Sequence, residues 1–276
     1  MTYSVVAMDS AEDLIGVAVA SRFIAVGAVV PWVRYRDGAI ATQSFANYTF
    51  GPEGLDLLSN HSAQETLKIL LDKDPLKEKR QVGIIDREGR VASFTGEECF
   101  DYAGSIEGKN FTVQGNILTG REVLESMAAE MESDLPFMDR MIRALKAGEN
   151  AGGDSRGKQS AAILIAGKNL EFEESSGIVM DIRVDDHPDP VHELERISKV
   201  WKAIYWDTTK LKLEDRKSDI YASVKRLGYH DLMKWANAHG LEHNITESDI
   251  GKLTLDALLY ESESALPNKK PGRTKS

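Results

Sequence analysis

Cys99 is the only cysteine in this 276-residue chain, which excludes an internal disulfide and a cysteine-built zinc cluster. It follows Thr95-Gly96-Glu97-Glu98 with no histidine partner in view, so it reads as a passive thiol rather than a nucleophile. Long apolar runs are missing too. The start has no basic leader, and Asp9, Glu12 and Asp13 interrupt its apolar residues, so neither a signal peptide nor a membrane span is expected. Positive charge is in deficit, with 34 Lys and Arg against 44 Asp and Glu and a formal net charge of -10. That balance argues against nucleic acid or an anionic membrane as a partner. Together these absences lead us to expect a soluble cytoplasmic protein, with one large domain or a large and a small one.

What is present begins with β signals. Tyr3 to Met8, Leu14 to Ala20 and Ala39 to Ala46 are short apolar or β-branched runs separated by turn-like stretches, and they read as adjacent antiparallel strands. Helical spacing follows over Gly51 to Leu58 and Ala63 to Leu71. Gln81 to Asp86 and Arg90 to Phe94 flank Arg87-Glu88-Gly89 as a hairpin. Two helices, Arg121 to Met131 and Pro136 to Ala147, then lead to a glycine-rich loop and strands over Ser160 to Ile165 and Ile178 to Val184. Strands, helices and strands again give an α+β architecture rather than a βαβ series. An amphipathic helix over Val191 to Trp206 leads into the charged stretch Asp207 to Ser218. Beyond it, helices over Ile220 to Leu227, Asp231 to Ala238 and Glu247 to Leu259 predict a small all-helical module. The expected division is a domain over 1–205, the module over 206–266 and a disordered basic tail over 267–276.

Chemistry enters at Thr2. If Met1 is removed, this residue carries a hydroxyl nucleophile and a free α-amine of pKa about 7.7 to 8.0, which serves as its own general base. Antiparallel pairing of the first two strands brings Ser21 and Arg22 toward Thr2, where the Arg22 charge would favour a neutral amine. Ala41-Thr42-Gln43-Ser44-Phe45-Ala46-Asn47 is rich in amides and hydroxyls for a strand, so Gln43, Ser44 and Asn47 are candidate donors to a substrate or an oxyanion. Gln114-Gly115-Asn116 reads as an amide-rich turn, and Asn116 joins the candidates. The glycine-rich loop around Gly152-Gly153-Asp154 lacks the Gly-Lys-Ser/Thr ending of a phosphate-binding loop, and places Asp154 and Arg156 at a pocket rim. Asp185, Asp186, His187 and Asp189 are rich enough in ligating groups for a metal. Pro188, Asp189 and Pro190 also form a helix start, which is the preferred reading, and no metal or other cofactor is expected.

These motifs, with Gly16 to Phe23, Val26 to Trp32 and Arg80 to Gly83, resemble the DUF1028 family over roughly residues 2 to 195. That resemblance implies membership of the N-terminal nucleophile (Ntn) hydrolases, with a four-layer αββα sandwich and cleavage of amide bonds. Thr2 is the position that matches their nucleophile. It therefore implies an amidohydrolase for a small amide with Thr2 as nucleophile; the reading of the residues themselves adds Arg22, Gln43 and Asn47 to catalysis and Ser21, Ser44, Asn116 and Asp154 to substrate binding. Two other classes stay open: a ligand-binding protein on the same fold that keeps Met1, and a metal-dependent hydrolase centred on Asp185, Asp186 and His187. The C-terminal module weakly resembles a peptidoglycan-binding domain, and homo-oligomerisation or docking is its other use.

Overall fold

The computed structural model describes residues 2–168 and 177–265; the expected tail lies outside the described residues. In chain order the first elements are β1 (Thr2–Asp9), β2 (Leu14–Ser21), β3 (Pro31–Arg34), β4 (Gly38–Ser44), α1 (Phe50–Leu58) and α2 (Ala63–Asp72). They are followed by β5 (Arg80–Asp86), β6 (Val91–Thr95), β7 (Gly104–Gly108), β8 (Phe111–Asn116), α3 (Glu122–Met131) and α4 (Phe137–Asn150). After these come β9 (Ser160–Gly167), β10 (Ile178–Val184) and α5 (Pro190–Trp206). The protein is thus α+β, and its sheets are antiparallel throughout.

One sheet has the order β10-β9-β2-β1-β8-β7 and the other β3-β4-β5-β6. β1 and β2 pair as the sequence predicts. β4 does not continue that sheet but heads into the second one, because β3 and its short turn carry the chain across first. Gln114 to Asn116 are not a turn: they end β8, which pairs with β1 so that Thr2 faces Asn116. The amides suggested a turn because such residues favour loops, whereas here they line a strand face that is polar for its own reason.

Period-two alternation decides what each strand buries. Val6, Ile15, Val17 and Val19 of the larger sheet meet Ala39, Ala41 and Ile85 of the smaller one in a single apolar cluster between the sheets. The opposite faces take helices: Ile40, Val82 and Ile84 pack with Phe50, Leu55, Leu67 and Leu70 of α1 and α2, while α3 and α4 contact β1, β2, β7 and β8. A capping box starts α2, with the Ser62 hydroxyl accepting from Glu65 N–H and the Glu65 carboxylate accepting from Ser62 N–H.

Internal contacts divide the chain into a unit ending at Leu194 and another beginning at Glu195. The second unit is not purely helical. Besides the rest of α5 it holds β11 (Lys210–Lys212), α6 (Lys217–Arg226), α7 (Leu232–His239), β12 (Asp249–Gly251) and α8 (Lys252–Ser264), and β11 pairs with β12. Asp249 to Gly251 were expected as helix. The Asp207 carboxylate accepts from Leu253 and Thr254 N–H at 3.0 and 2.7 Å and so caps α8 from a distance. Trp235, fully buried among Ile220, Leu241, Ile250 and Leu258, centres a core that belongs to this unit alone.

Candidate active site

Thr2 begins β1, a strand with hydrogen-bonded neighbours on both sides. It is 5% exposed, and its Oγ1 lies 3.1 Å from Ser21 Oγ at the end of β2. Next to Ser21, Arg22 N–H donates to Asp154 Oδ2 at 2.8 Å, and Asp154 also accepts from Arg156 N–H and its guanidinium. Leu118 and Asp154 form a β-bridge, and Ser155 N–H donates to Ile117 O. The loop of Gly152, Gly153 and Gly157, all at positive φ, therefore closes over the ends of β2 and β8. Glycine meets that backbone requirement without strain.

Beneath Thr2 the two sheets exchange amides. Gln43 Oε1 accepts from Ser4 Oγ at 2.7 Å, and Gln43 Nε2 donates to Gln81 Oε1 at 2.9 Å, with a longer contact of 3.5 Å to Thr2 O. Asn116 Nδ2 donates to the same Gln81 oxygen at 2.8 Å. Gln81 Nε2 in turn reaches Gly115 O at 2.7 Å and Thr95 Oγ1 at 3.0 Å. Gln114 Nε2 donates to Ser4 Oγ at 2.6 Å, and the Gln114 amide occupies the place of a side chain at Gly83, where an added Cβ would stand 2.3 Å from Gln114 Oε1. Residues 2 and 4 of β1, 43 of β4, 81 of β5, and 114 and 116 of β8 thus form one buried network, each member with hydrogen-bond partners.

Of the expected site residues, the structure brings together Thr2, Ser21, Asp154, Gln43 and Asn116. Arg22 joins through its backbone, while its side chain is exposed. Ser44 and Asn47 go elsewhere: Ser44 turns the chain out of β4 at a φ of 68°, and the Asn47 side chain donates to Asp74 and accepts from Thr49. There a second cluster forms around the buried Arg80–Asp74 pair at 2.7 Å, with Arg80 also donating to Phe45 O. The Arg80 hydrogen bond is the main reason the Asp74 carboxyl lies below the usual carboxylate range. Cys99 belongs to this cluster. Its thiol is buried against Arg80 O, and burial pushes it up, so little thiolate forms near neutral pH. Ser4, Gln81 and Gln114 were not read from sequence as site residues; Gly83, a glycine inside a strand, was the available signal of a close approach.

On the helix side of β1, a cavity of about 90 Å³ is lined by Tyr3, Ser21, Glu149, Gly153, Asp154 and Lys158. Lys158 bridges Glu149 and Asp189 at 2.7 and 3.0 Å. Burial raises the Glu149 carboxyl, and burial first, then the charges of Glu149, Asp154 and Asp189, raises the Tyr3 phenol. A larger cavity, about 350 Å³, opens at the far strand ends among Asp9, Asp13, Tyr35 and Arg36, away from Thr2. The acidic run before α5 is tied up locally: Asp186 accepts from Gln159, and His187 Nδ1 accepts from Asp189 N–H. Among the described residues no group of three or more His, Cys, Asp and Glu converges on a metal position, and no helix is long and apolar enough to cross a membrane.

A model described as a family of unknown function, DUF1028, matches residues 2–194. The crystal structure of protein SPO2555 from Silicibacter pomeroyi, assigned to the same family, superposes with a TM-score of 0.66 at 29% identity, covering 73% of this chain and 89% of that one. No curated protein matches.

Proposed function

We propose that this chain, which belongs to the DUF1028 family, is an Ntn-type amidohydrolase with Thr2 as nucleophile once its α-amine is exposed by loss of Met1. The observation that carries the reading is the placement of Thr2: first residue of an interior strand, buried, with its hydroxyl 3.1 Å from Ser21 Oγ. A nucleophile held by two neighbouring strands is pre-positioned and does not fray. The layering supports the same reading, because two facing sheets with α1 and α2 outside one and α3 and α4 outside the other match the αββα order of that superfamily.

In this mechanism Thr2 Oγ1 attacks the amide carbonyl while its proton passes to the Thr2 amine. The C–N bond then breaks, the leaving nitrogen takes that proton, and an ester to Thr2 remains. Water adds to the ester carbonyl as one of its protons passes to the Thr2 amine, the ester C–O bond breaks, that proton goes to Thr2 Oγ1 to restore the hydroxyl, and the acyl group leaves as a carboxylic acid. Asn116 stands opposite Thr2 in the β1–β8 register and has spent one N–H on Gln81; the other is the donor we assign to the oxyanion. Ser21 orients the nucleophile, and Asp154 holds the loop that carries Arg22. Gln43 supports the floor of the site. The substrate is a small amide, and the reaction as written uses no metal or cofactor.

An electrophilic β-lactone tests this directly. Processed protein should be labelled once, at Thr2, Thr2→Ser should keep part of the reactivity, and Thr2→Ala should stay folded and unlabelled. Undiminished labelling of Thr2→Ala, or full activity with Met1 still attached, would sink the mechanism.

A further inference from the structure

Six large apolar side chains of the first unit are strongly exposed among the described residues: Phe23, Ile24, Phe45, Tyr48, Leu76 and Phe100. All six lie at one end of the sheets. Phe23 and Ile24 follow β2, and Phe45 and Tyr48 follow β4. Leu76 precedes β5, and Phe100 lies after β6, with its carbonyl accepting from Ile117 N–H just past β8. This is the end at which Thr2 and Asn116 pair, at which Ser21 ends β2 and at which Gln43 lies one residue before the end of β4. Among the described residues, the turns 10–13, 35–37, 87–90 and 109–110 at the opposite end expose no such side chain. Single exposed apolar residues are ordinary, but their segregation to one end marks a contact surface.

The loops bearing these side chains are tied to the site itself. Arg22 N–H binds Asp154, Ser155 N–H binds Ile117 O, and Ile117 N–H binds Phe100 O. On the other side Cys99 Sγ donates to Arg80 O, and the Arg80 guanidinium lies 5.2 Å from the Phe45 ring centre and donates to Phe45 O. An arc of aromatic and aliphatic side chains is therefore held in a set relation to a polar centre made of Thr2, Ser21 and Asn116.

We infer that this arc binds the apolar part of the substrate, so that the amide processed at Thr2 carries a sizeable alkyl or aryl substituent. The inference rests on the assignment of Thr2 made above. A polar centre inside an apolar arc fits a ligand with one amide and an apolar body, whereas a second copy of the chain seated there would cover the nucleophile. Each fully buried methylene strengthens binding about fourfold. Six extra methylenes at half that yield would give on the order of 50-fold.

The experiment is equilibrium binding of unreactive amides by ligand-observed NMR, comparing octanamide with acetamide and N-heptylacetamide with N-methylacetamide. At least one long-chain compound should bind tens of times more tightly than its short counterpart. The ratio should fall toward one in a Phe45→Ser, Phe100→Ser double variant, whose changes are at exposed positions. Equal affinities for long and short amides, or a preference that survives the double change, overturn the inference. So does a concentration-dependent dimer in sedimentation that the double change abolishes, since the arc would then be an interface between copies. Binding is read without turnover, so a failure of the arc is separate from a failure of lactone labelling at Thr2.

Discussion

The space between the two sheets is built twice over by the same strands, apolar at one end and polar at the other. β1 contributes Val6 to the first and Thr2 and Ser4 to the second; β5 contributes Ile85 to one and Gln81 to the other. Both ends are buried, yet they are held by different physics. At the apolar end burial itself stabilises, and neighbours can be exchanged at the cost of volume. At the polar end each buried amide must be matched donor to acceptor, so positions are specified to tenths of an ångström. A protein needing a stiff platform under one threonine gains from that precision, and the apolar end supplies the stability that the polar end does not.

The sharpest way to break the comparison is at the border of the polar end. Asp74→Ala leaves the buried Arg80 charge without its carboxylate, a loss of about 3 to 5 kcal/mol in denaturant unfolding. Because the Asp74 carboxyl lies below its ordinary value, its contribution is present above the unfolded pKa of about 3.9 and disappears as pH falls through the lower folded value. The difference between wild type and variant should therefore shrink in acid and stay constant near neutrality. Next in size is Ile85→Ala at the apolar end. Its side chain is fully buried, so unfolding should show a loss of about 2 to 5 kcal/mol. Labelling of Thr2 should be unchanged under conditions where the variant remains folded. Smallest in stability is Gln81→Met, which leaves the Gln43 and Asn116 donors without their shared acceptor, at about 1 to 3 kcal/mol. Yet this variant should slow lactone labelling more than Ile85→Ala does. Equal labelling rates in the two would mean that the amides are only a polar version of the core.

Sequence periodicity carried most of the elements, because alternating or helical runs longer than about six residues register their burial directly. β3, β7 and β8 escaped it: the first is four residues long, the second begins and ends in glycine, and the third closes on Gln114-Gly115-Asn116, which reads as a turn. The proximity of Thr2 and Ser21 was legible because two strands joined by a short turn must be antiparallel neighbours. The Gln43–Gln81–Asn116 triangle was not legible, since its members lie on three strands of two sheets and no local pattern encodes which strand faces which. The same limit explains Asn47, whose composition suits a site but which lies beyond the point where Ser44 bends the chain away.

Tryptophan placement gives the two units separate optical signals. Trp32 is the single tryptophan before residue 194, and its indole lies flat enough on α1 that a Cβ at Gly51 would stand within 2.4 Å of its ring atoms. The other three, at 201, 206 and 235, all fall after the division. Tryptophan emission from a Trp32→Phe protein thus comes wholly from the C-terminal unit, and subtracting it from the parent spectrum isolates the N-terminal unit. The melting of each half can be followed in the intact chain without cutting or tagging it.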